Sequence, residues 1–439
     1  MSKTKRIAVV GAGWAGCAAA VELAQRGHQV SLIEAGRTLG GRARQVVIEG
    51  KTLDNGQHIM LGAYAETLRL LRLLGVDEKT AFLRLPLQMR YPDAITGMDF
   101  CAPRLPAPLH LLLALLRARG LAWADKMALA RFTTSARWMG WELNTDCSVD
   151  ELLLRFDQTE HLNRLLWRPL CIAALNTPAA RASANVFLRV LRDSLGAKRS
   201  ASDMLLPKTD LSSLLPQPAT QFIKQRGGSV HLGVTIKEII QNGEGWKLGA
   251  ANLPTSEFDA LVLATSSHVA SQLLAEHVPD HLASWQGVGH EAITTCYLQY
   301  EAGLKLALPF YALLDQPERG EYGQFVFDRG QLNPQQAGLL AVVISAPETA
   351  LDLPQAELAQ SAASQIASAL KLPLLAQPQW HQVIAEKRAT FACAPALQRP
   401  PQASGLANLV LAGDYTAGPY PATLEGAVLS GLAAAKLLD

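Results

Sequence analysis

A glycine-rich turn near the start of the chain has the residue types and the spacing that hold a phosphate group. Gly11, Gly13 and Gly16 follow an apolar run that ends at residue 10. Gly11 allows a tight turn, Gly13 leaves room for a pyrophosphate beside the backbone, and Gly16 lets the next helix pack closely on the strand. That helix would begin near Trp14 and Ala15 and would direct its N–H groups and positive dipole end at the phosphates. The pattern predicts a bound dinucleotide, with a ligand-free glycine turn as the alternative.

The residues after the next apolar run add two further signals. Glu34, with Ala35 beside it, stands about 20 positions beyond the glycine turn, where an acid binds the ribose hydroxyls of a dinucleotide. Gly41 lets backbone amides approach a phosphate, and Arg42 can pair with an anion through two hydrogen bonds. The glycine turn, the acid and the Gly-Gly-Arg sequence together predict FAD.

Residues 54–58, with the sequence DNGQH, follow a short predicted strand and could line the flavin. A glycine at this point, Gly56, with Gln57 after it, would let the backbone lie against a flat ring system. His58 has two interpretations at this stage. It is either a proton donor near the flavin or a structural residue.

The end of the chain carries a second group of candidate cofactor contacts. Gly413 and Asp414 follow a short apolar run, so the Asp414 carboxylate would accept hydrogen bonds from the ribityl hydroxyls. Thr423 is placed to cap a last helix that begins near Leu424, and the N-terminus of that helix would offer a further dipole to the cofactor. A capped terminal helix is common in proteins, so this pattern indicates a cofactor contact only in combination with the N-terminal motifs.

The elements that must position these residues come from three separate stretches. We predict a discontinuous FAD-binding domain from residues 1–65, 205–268 and 398–439, and a substrate-binding domain from residues 66–204 and 269–397. The fully apolar run 261–264, ending at Ala264, is typical of a central parallel strand. We also expect one helix over residues 211–226 and another over 355–370. The predicted fold class is α/β, a Rossmann-like FAD-binding domain with an inserted α+β substrate domain.

The amino-acid composition argues against several classes of partner and site. The 439 residues are 49% hydrophobic and 18% charged, with a net charge of +2, which argues against a nucleic-acid partner. The six cysteines are scattered without paired spacing, so we expect neither a metal site nor a disulfide framework. An apolar strand starts almost at once and no apolar run reaches about 18 residues, so we expect no signal peptide and no membrane span.

The segment 104–141 is unusual within this composition. It holds three of the eight tryptophans and six basic residues against one acid, around an apolar run that is too short to span a bilayer. Apolar faces with tryptophan and flanking cations are typical of helices that lie in a membrane interface. An ordinary core helix with a solvated basic face is the alternative.

The motifs together resemble the superfamily of flavin amine oxidases and phytoene desaturases over essentially the whole chain, with the inserted domain similar only in general pattern. The glycine turn, the acid, the Gly-Gly-Arg sequence and the terminal G-D…E-G-A stand where that superfamily has them, and Val234 matches the valine whose backbone meets the adenine. Residues 54–64, 388–393 and 418–425 resemble the squalene-associated branch, the hydroxysqualene dehydroxylases of hopanoid synthesis.

The resemblance implies an activity that composition and spacing alone do not. It implies that reduced flavin delivers hydride from N5 to hydroxysqualene as the hydroxyl leaves, giving squalene. The leaving hydroxyl requires a proton donor, for which His58, Tyr415 and Tyr420 are candidates because they lie in or near the motifs. We expect a hydrophobic isoprenoid substrate, an electron donor of unknown identity, and a cytoplasmic location peripheral to the inner face of the cell membrane.

Three alternatives remain open. A carotenoid or phytoene-type desaturase would share the fold and pass hydride in the opposite direction. A flavin amine oxidase would need an aromatic cage and a polar amine pocket, whereas the inserted region is apolar. A non-catalytic prenyl-binding escort protein would carry eroded flavin motifs, whereas these are intact.

Overall fold

The computed structural model describes residues 4–93, 95–277, 288–346 and 350–439. The strands of this part of the chain are β1 (Arg6–Val10), β2 (Gln29–Glu34), β3 (Gln45–Ile48), β4 (Lys51–Asp54), β5 (Met60–Leu61), β6 (Phe82–Leu85), β7 (Gln88–Arg90), β8 (Asp99–Cys101), β9 (Met204–Pro207), β10 (Ser229–Leu232), β11 (Glu238–Asn242), β12 (Gly245–Gly249), β13 (Glu257–Phe258), β14 (Ala260–Leu263), β15 (His290–Gln299), β16 (Phe310–Ala312), β17 (Phe325–Asp328), β18 (Leu339–Ser345), β19 (Trp380–Phe391) and β20 (Leu409–Leu411).

The α-helices of the same residues include a run of six, the fourth to the ninth, with no strand between them. They are α1 (Trp14–Gln25), α2 (Ala65–Leu73), α3 (Glu78–Ala81), α4 (Leu109–Arg117), α5 (Trp123–Trp138), α6 (Val149–Arg155), α7 (Glu160–Leu162), α8 (Arg168–Leu175), α9 (Ala184–Ser194), α10 (Leu211–Leu214), α11 (Pro216–Gln225), α12 (Ser267–Leu274), α13 (Gln355–Leu370) and α14 (Leu424–Lys436). A π-helical turn, Asn163–Trp167, joins α7 to α8.

A parallel sheet carries the cofactor motifs. Its strand order is β10-β2-β1-β14-β20, so its strands come from the start, the middle and the end of the chain. The strands β1 and β14 are almost entirely buried, as expected for apolar strands with helices over the sheet. Helices α1 and α14 pack closely here, since a Cβ on Gly431 would lie 2.1 Å from the Ala15 carbonyl oxygen. The sheet is that of a Rossmann-like fold, as predicted.

A second sheet belongs to the inserted region. Its order is β16-β17-β18-β15-β19, and all its pairings are antiparallel. Helix α13 packs on one face through an apolar cluster that includes Cys296, Leu298 and Ile366. The other face meets a larger cluster shared with helices α4 to α9, in which Tyr297 and Phe327 take part. Helices and an antiparallel sheet therefore form the insert together.

Two helix predictions have different outcomes. The predicted helix over 355–370 matches α13. The helix expected over 211–226 is instead two helices, because Pro216 begins α11 and cannot supply the backbone N–H that a continuous helix would need. Among the described residues, no helix combines the length and the apolarity needed to cross a bilayer.

Candidate functional site

The glycine turn between β1 and α1 is closely packed on one side and open on the other. A Cβ on Gly16 would lie 1.9 Å from the Gly11 carbonyl oxygen, and a Cβ on Gly11 would lie 2.4 Å from that of Ala264. By contrast, a Cβ on Gly13 would meet only the Gly41 Cα, at 3.9 Å. The turn is therefore held rigidly by its neighbours, while the space over Gly13 stays clear for a ligand.

The first residues of α1 divide between core and site. Trp14 is buried, and its indole N–H donates to the Ala43 carbonyl at 3.1 Å, so its side chain belongs to the core and stabilises the turn. Ala15 is buried too. Because the first N–H groups of a helix have no partner within it, the backbone of these two residues remains available to an anion.

Glu34 lies at the end of β2, beside the glycine turn. One carboxylate oxygen accepts from the Ala12 N–H at 2.7 Å and the other from the Gly36 N–H at 2.8 Å. The Val234 N–H donates to the Glu34 carbonyl at 3.0 Å, so the predicted adenine contact and the predicted ribose acceptor are adjacent. Ala35 is exposed on the same edge. A carboxylate has further lone pairs, which ribose hydroxyls could use.

Arg42 and Asp414 meet across the site. The Arg42 guanidinium donates to Asp414 Oδ1 and to the Ala389 carbonyl oxygen, the latter at 2.6 Å. This pairing occupies one carboxylate oxygen of Asp414 and leaves Oδ2 as the acceptor that a ribityl hydroxyl could use. Gly413 is held in turn by the Ser430 hydroxyl, which accepts its N–H at 2.9 Å.

The loop 54–58 lies against the inserted sheet. The Gln57 N–H donates to Thr295 Oγ1 at 3.4 Å, and the buried Arg329 donates to the Gln57 side-chain oxygen at 2.7 Å. A Cβ on Gly56 would find only ordinary contacts, with Thr295 Oγ1 at 3.8 Å and the His58 ring at 3.9 Å. The sequence did not predict that Thr295 and Arg329 contact this loop, because neither residue lies within a local motif.

His58 is held as a neutral imidazole. Burial lowers its pKa, the nearby positive charge of Arg42 lowers it further, and the hydrogen bond to the Gly56 carbonyl opposes both. Its Nδ1 lies 2.8 Å from the Gly56 carbonyl oxygen. Because a carbonyl oxygen can only accept, Nδ1 carries the ring proton and donates a hydrogen bond to it. The remaining nitrogen, Nε2, is then an acceptor rather than a proton donor.

The two candidate tyrosines differ in their surroundings. Tyr415 is buried, and burial followed by the negative charge of Asp414 raises its pKa, so the phenol keeps its proton at neutral pH. Tyr420 donates its phenol hydrogen to Asp193 of α9 at 2.9 Å, and burial with this hydrogen bond raises its pKa to about 12. The structure thus places Tyr415 beside Asp414 and Arg42, and directs Tyr420 toward the inserted domain.

The start of α14 is capped by Thr423 as predicted, whereas the Glu425 carboxylate in its first turn is directed at helix α2. The Thr423 hydroxyl accepts from the Gly426 N–H at 3.1 Å, and Leu424 is the first helical residue. The Glu425 carboxylate accepts hydrogen bonds from the N–H groups of Glu66 and Thr67 and from the Thr67 hydroxyl. Glu425 therefore caps α2 and ties the last helix to it.

Arg399 is another residue that the sequence interpretation missed. Its guanidinium donates to the carbonyls of Asp414, Gly418 and Tyr420 and so holds the loop between β20 and α14. No local sequence pattern predicts this role of Arg399, because all three acceptors are backbone oxygens at least 15 residues away.

These observations fit FAD. The clear space over Gly13, the free helix N-terminus, the acid beside Val234 and the open oxygen of Asp414 match a pyrophosphate, a ribose and a ribityl chain in turn. Loop 54–58 and Tyr415 would then border the flavin ring.

Comparison with known proteins agrees with this geometry. The model of the family "Flavin containing amine oxidoreductase" matches residues 14–438. Hydroxysqualene dehydroxylase of Sinorhizobium fredii is 28% identical over 448 residues, covering 99% of this chain and 98% of the relative. A 15-cis-phytoene desaturase of Glycine max is 26% identical, covering 99% of this chain and 80% of the relative.

Solved structures share the fold. Cyclohexylamine oxidase from Brevibacterium oxydans superimposes with a TM-score of 0.69 at 17% identity, covering 99% of both chains. The family match extends over nearly the whole chain and agrees with the cofactor elements described above. The chain therefore belongs to the family of flavin-containing amine oxidoreductases and is an FAD-dependent oxidoreductase.

Proposed function

We propose that the protein removes the hydroxyl group of hydroxysqualene reductively and releases squalene. The observation that carries the proposal is the large apolar cluster beside the cofactor residues, which contains Tyr415 together with Phe327 and Phe391 of the inserted sheet. A C30 hydrocarbon chain matches the apolar character of these side chains. The full-length similarity to hydroxysqualene dehydroxylases supports the choice of substrate within this class.

The chemistry balances with one hydride, which carries two electrons, and one further proton. The carbon–oxygen bond breaks, the hydroxyl leaves as water after gaining a proton, and the carbon gains a hydride. Bound reduced FAD supplies the hydride. The protein must hold the substrate carbon at the flavin edge, provide the proton and keep bulk water away from an electron-deficient carbon.

Tyr415 is the residue best placed to provide the proton. Its raised pKa keeps the phenol protonated at neutral pH, and it lies within the apolar cluster next to Asp414. His58 offers only an acceptor nitrogen, and the Tyr420 hydroxyl is directed at Asp193 on α9. In this proposal His58 orients the leaving hydroxyl by accepting its hydrogen, while Tyr415 donates to the hydroxyl oxygen.

The direct test is anaerobic incubation of the protein with chemically reduced FAD and hydroxysqualene, followed by mass spectrometry of the products. We expect squalene to form in proportion to the flavin that is oxidised. A parallel incubation of oxidised protein with phytoene and a quinone tests the desaturase alternative, and peroxide release with simple amines tests the amine oxidase alternative. Desaturated phytoene without any squalene would overturn the proposal in favour of the desaturase.

A further inference from the structure

The outer side of helices α4 and α5 carries six of the 14 large apolar side chains that are exposed among the described residues. We call it the hairpin face. Its apolar side chains are at least 43% exposed, and Trp138 is 88% exposed. They are Leu109, Leu112, Leu116, Trp123, Met127 and Trp138. These six lie on two consecutive helices within 30 residues of the chain, a concentration that differs from the scattered single exposure that is normal for surface residues.

On α4 the exposed side chains share one face of the helix. Leu109, Leu112 and Leu116 follow each other at spacings of three and four residues, which places them in one stripe. Ala114 and Leu115 are buried on the opposite side. The helix has therefore already used one apolar face for the core, and it presents a second one outward.

Helix α5 continues this surface. Trp123, Met127, Arg131 and Trp138 lie on one side of the helix, and all four are exposed, while Phe132 is buried on the other side. The two helices are joined at their near ends, because Lys126 Nζ donates to the Leu116 carbonyl oxygen at 2.9 Å. The C-terminal end of the leucine stripe on α4 therefore lies near the first turn of α5, which begins at Trp123.

The charged side chains of this segment that reach the surface are all basic. The basic residues of segment 104–141 are Arg104, Arg117, Arg119, Lys126, Arg131 and Arg137. Its only acid, Asp125, is buried and accepts hydrogen bonds from Thr159 and His161, so it does not reach the surface. The segment carries a formal charge of +5, which leaves −3 for the rest of a chain whose total is +2.

We propose that the hairpin face docks on a membrane surface that contains anionic lipids, with both helices lying in the interface. Leucine and methionine would enter the boundary of the acyl chains, the two tryptophans would lie at headgroup depth, and the arginines would contact lipid phosphates. The inner sides of both helices pack in the same large apolar cluster that holds Tyr415, so docking would place lipid on the outer side of that cluster.

Vesicle flotation of the FAD-loaded full-length protein tests the proposal. We expect binding to an equal mixture of phosphatidylcholine and phosphatidylglycerol, weaker binding to phosphatidylcholine alone, and weaker binding to the mixture at high salt. Brominated lipids in the mixture should quench tryptophan fluorescence, and Trp123→Phe/Trp138→Phe should lose most of that quenching.

Matched variants separate the apolar and the electrostatic contributions. We expect Leu112→Ser/Leu116→Ser to weaken binding about tenfold or more, because each side chain loses apolar burial. Its control is Leu154→Ser/Leu437→Ser, which changes two exposed leucines outside the hairpin face. Arg131→Gln/Arg137→Gln should weaken binding about thirtyfold, whereas Lys224→Gln/Lys247→Gln should not.

Two results would overturn the proposal. One is that the wild-type protein floats with neither kind of vesicle, and the other is that the hairpin-face variants bind vesicles as the wild type does. A wild-type dimer that becomes monomeric in these variants, with unchanged vesicle binding, would assign the face to a contact between two copies of the chain. Flavin absorbance and thermal unfolding check that each variant is folded, and a misfolded double variant is replaced by Leu112→Ser. Flotation needs no substrate, so its outcome does not depend on the proposed reaction.

Discussion

Arg42 donates a hydrogen bond to Asp414, although the two residues are 372 positions apart in the chain. Arg42 follows the second strand of the parallel sheet, and Asp414 follows its last strand. The same guanidinium also contacts the carbonyl of Ala389 on β19 of the inserted sheet. One side chain therefore connects the first and last cofactor segments to the substrate side of the molecule.

The Arg42–Asp414 pair is expected to contribute to FAD affinity as a unit. Arg42→Ala should weaken FAD binding about 10- to 100-fold, since hydrogen bonds to charged groups contribute about 1.5–3 kcal/mol. Asp414→Asn should also weaken it, and the double variant should lose less than the sum of the two, because both substitutions break one interaction. Titration of the deflavinated protein with FAD measures this, with Arg319→Ala as the control. Additive effects would show that the two residues act separately.

Two neighbouring glycines should respond differently to the same substitution. Gly13→Ala leaves ordinary space within the protein and Gly13 has a φ of −72°, so the FAD-free variant should unfold as the wild type does. The added methyl group would occupy the predicted phosphate position, so FAD affinity should fall about 10- to 100-fold, equivalent to an overpacking cost of 1–3 kcal/mol.

Gly16→Ala should instead destabilise the FAD-free protein itself. Its Cβ would lie 1.9 Å from the Gly11 carbonyl oxygen, so the turn must shift, at a cost of about 1–3 kcal/mol or more. Gly303→Ala is the control, because nothing lies within 4 Å of its Cβ position. Thermal unfolding with and without FAD measures all three variants. Equal stability of the Gly13→Ala and Gly16→Ala proteins without FAD would contradict this explanation.

The cofactor motifs could be predicted because their physical causes are local. The turn from Gly11 to Gly16 needs only a strand before it and a helix after it, and both are evident from apolar runs nearby. The contacts of Arg329 with Gln57, 272 residues away, have no such local signal. Glu425 shows the same limit, since its place in the tail motif gives no indication that its carboxylate caps α2. Which partner a polar side chain meets depends on the packing of distant segments.

Tyr415→Phe tests the assignment of the proton donor. The variant should bind FAD as the wild type does, and its rate of flavin oxidation by hydroxysqualene should fall about 10²- to 10⁴-fold, the usual contribution of a positioned acid. Tyr300→Phe is a matched control, because Tyr300 is also buried but donates to Leu375 in the cluster under α13. A Tyr415→Phe protein with an unchanged single-turnover rate would transfer the role to another group.

A buried acid at the cofactor loop should make stability depend on pH. Burial raises the pKa of Asp54 to about 6, although Arg329 and the hydrogen bond from the Leu211 N–H oppose the shift. The folded protein therefore favours the protonated acid, whose pKa in the unfolded chain is near 3.8. The corresponding stability is fully present below about pH 4 and is lost as the pH rises through about 6.

Asp54→Asn removes this titration while keeping a side-chain oxygen for the Leu211 N–H. Between about pH 4 and pH 7, the free energy of unfolding of the wild type relative to this variant should decrease by up to about 3 kcal/mol. Urea unfolding at steps of pH measures the difference, and Glu357→Gln, which changes an exposed acid in the first turn of α13, serves as the control. If the difference between wild type and Asp54→Asn stayed constant over this range, Asp54 would ionise as readily in the folded protein as in the unfolded chain, and Arg329 and the Leu211 N–H would offset the whole cost of its burial.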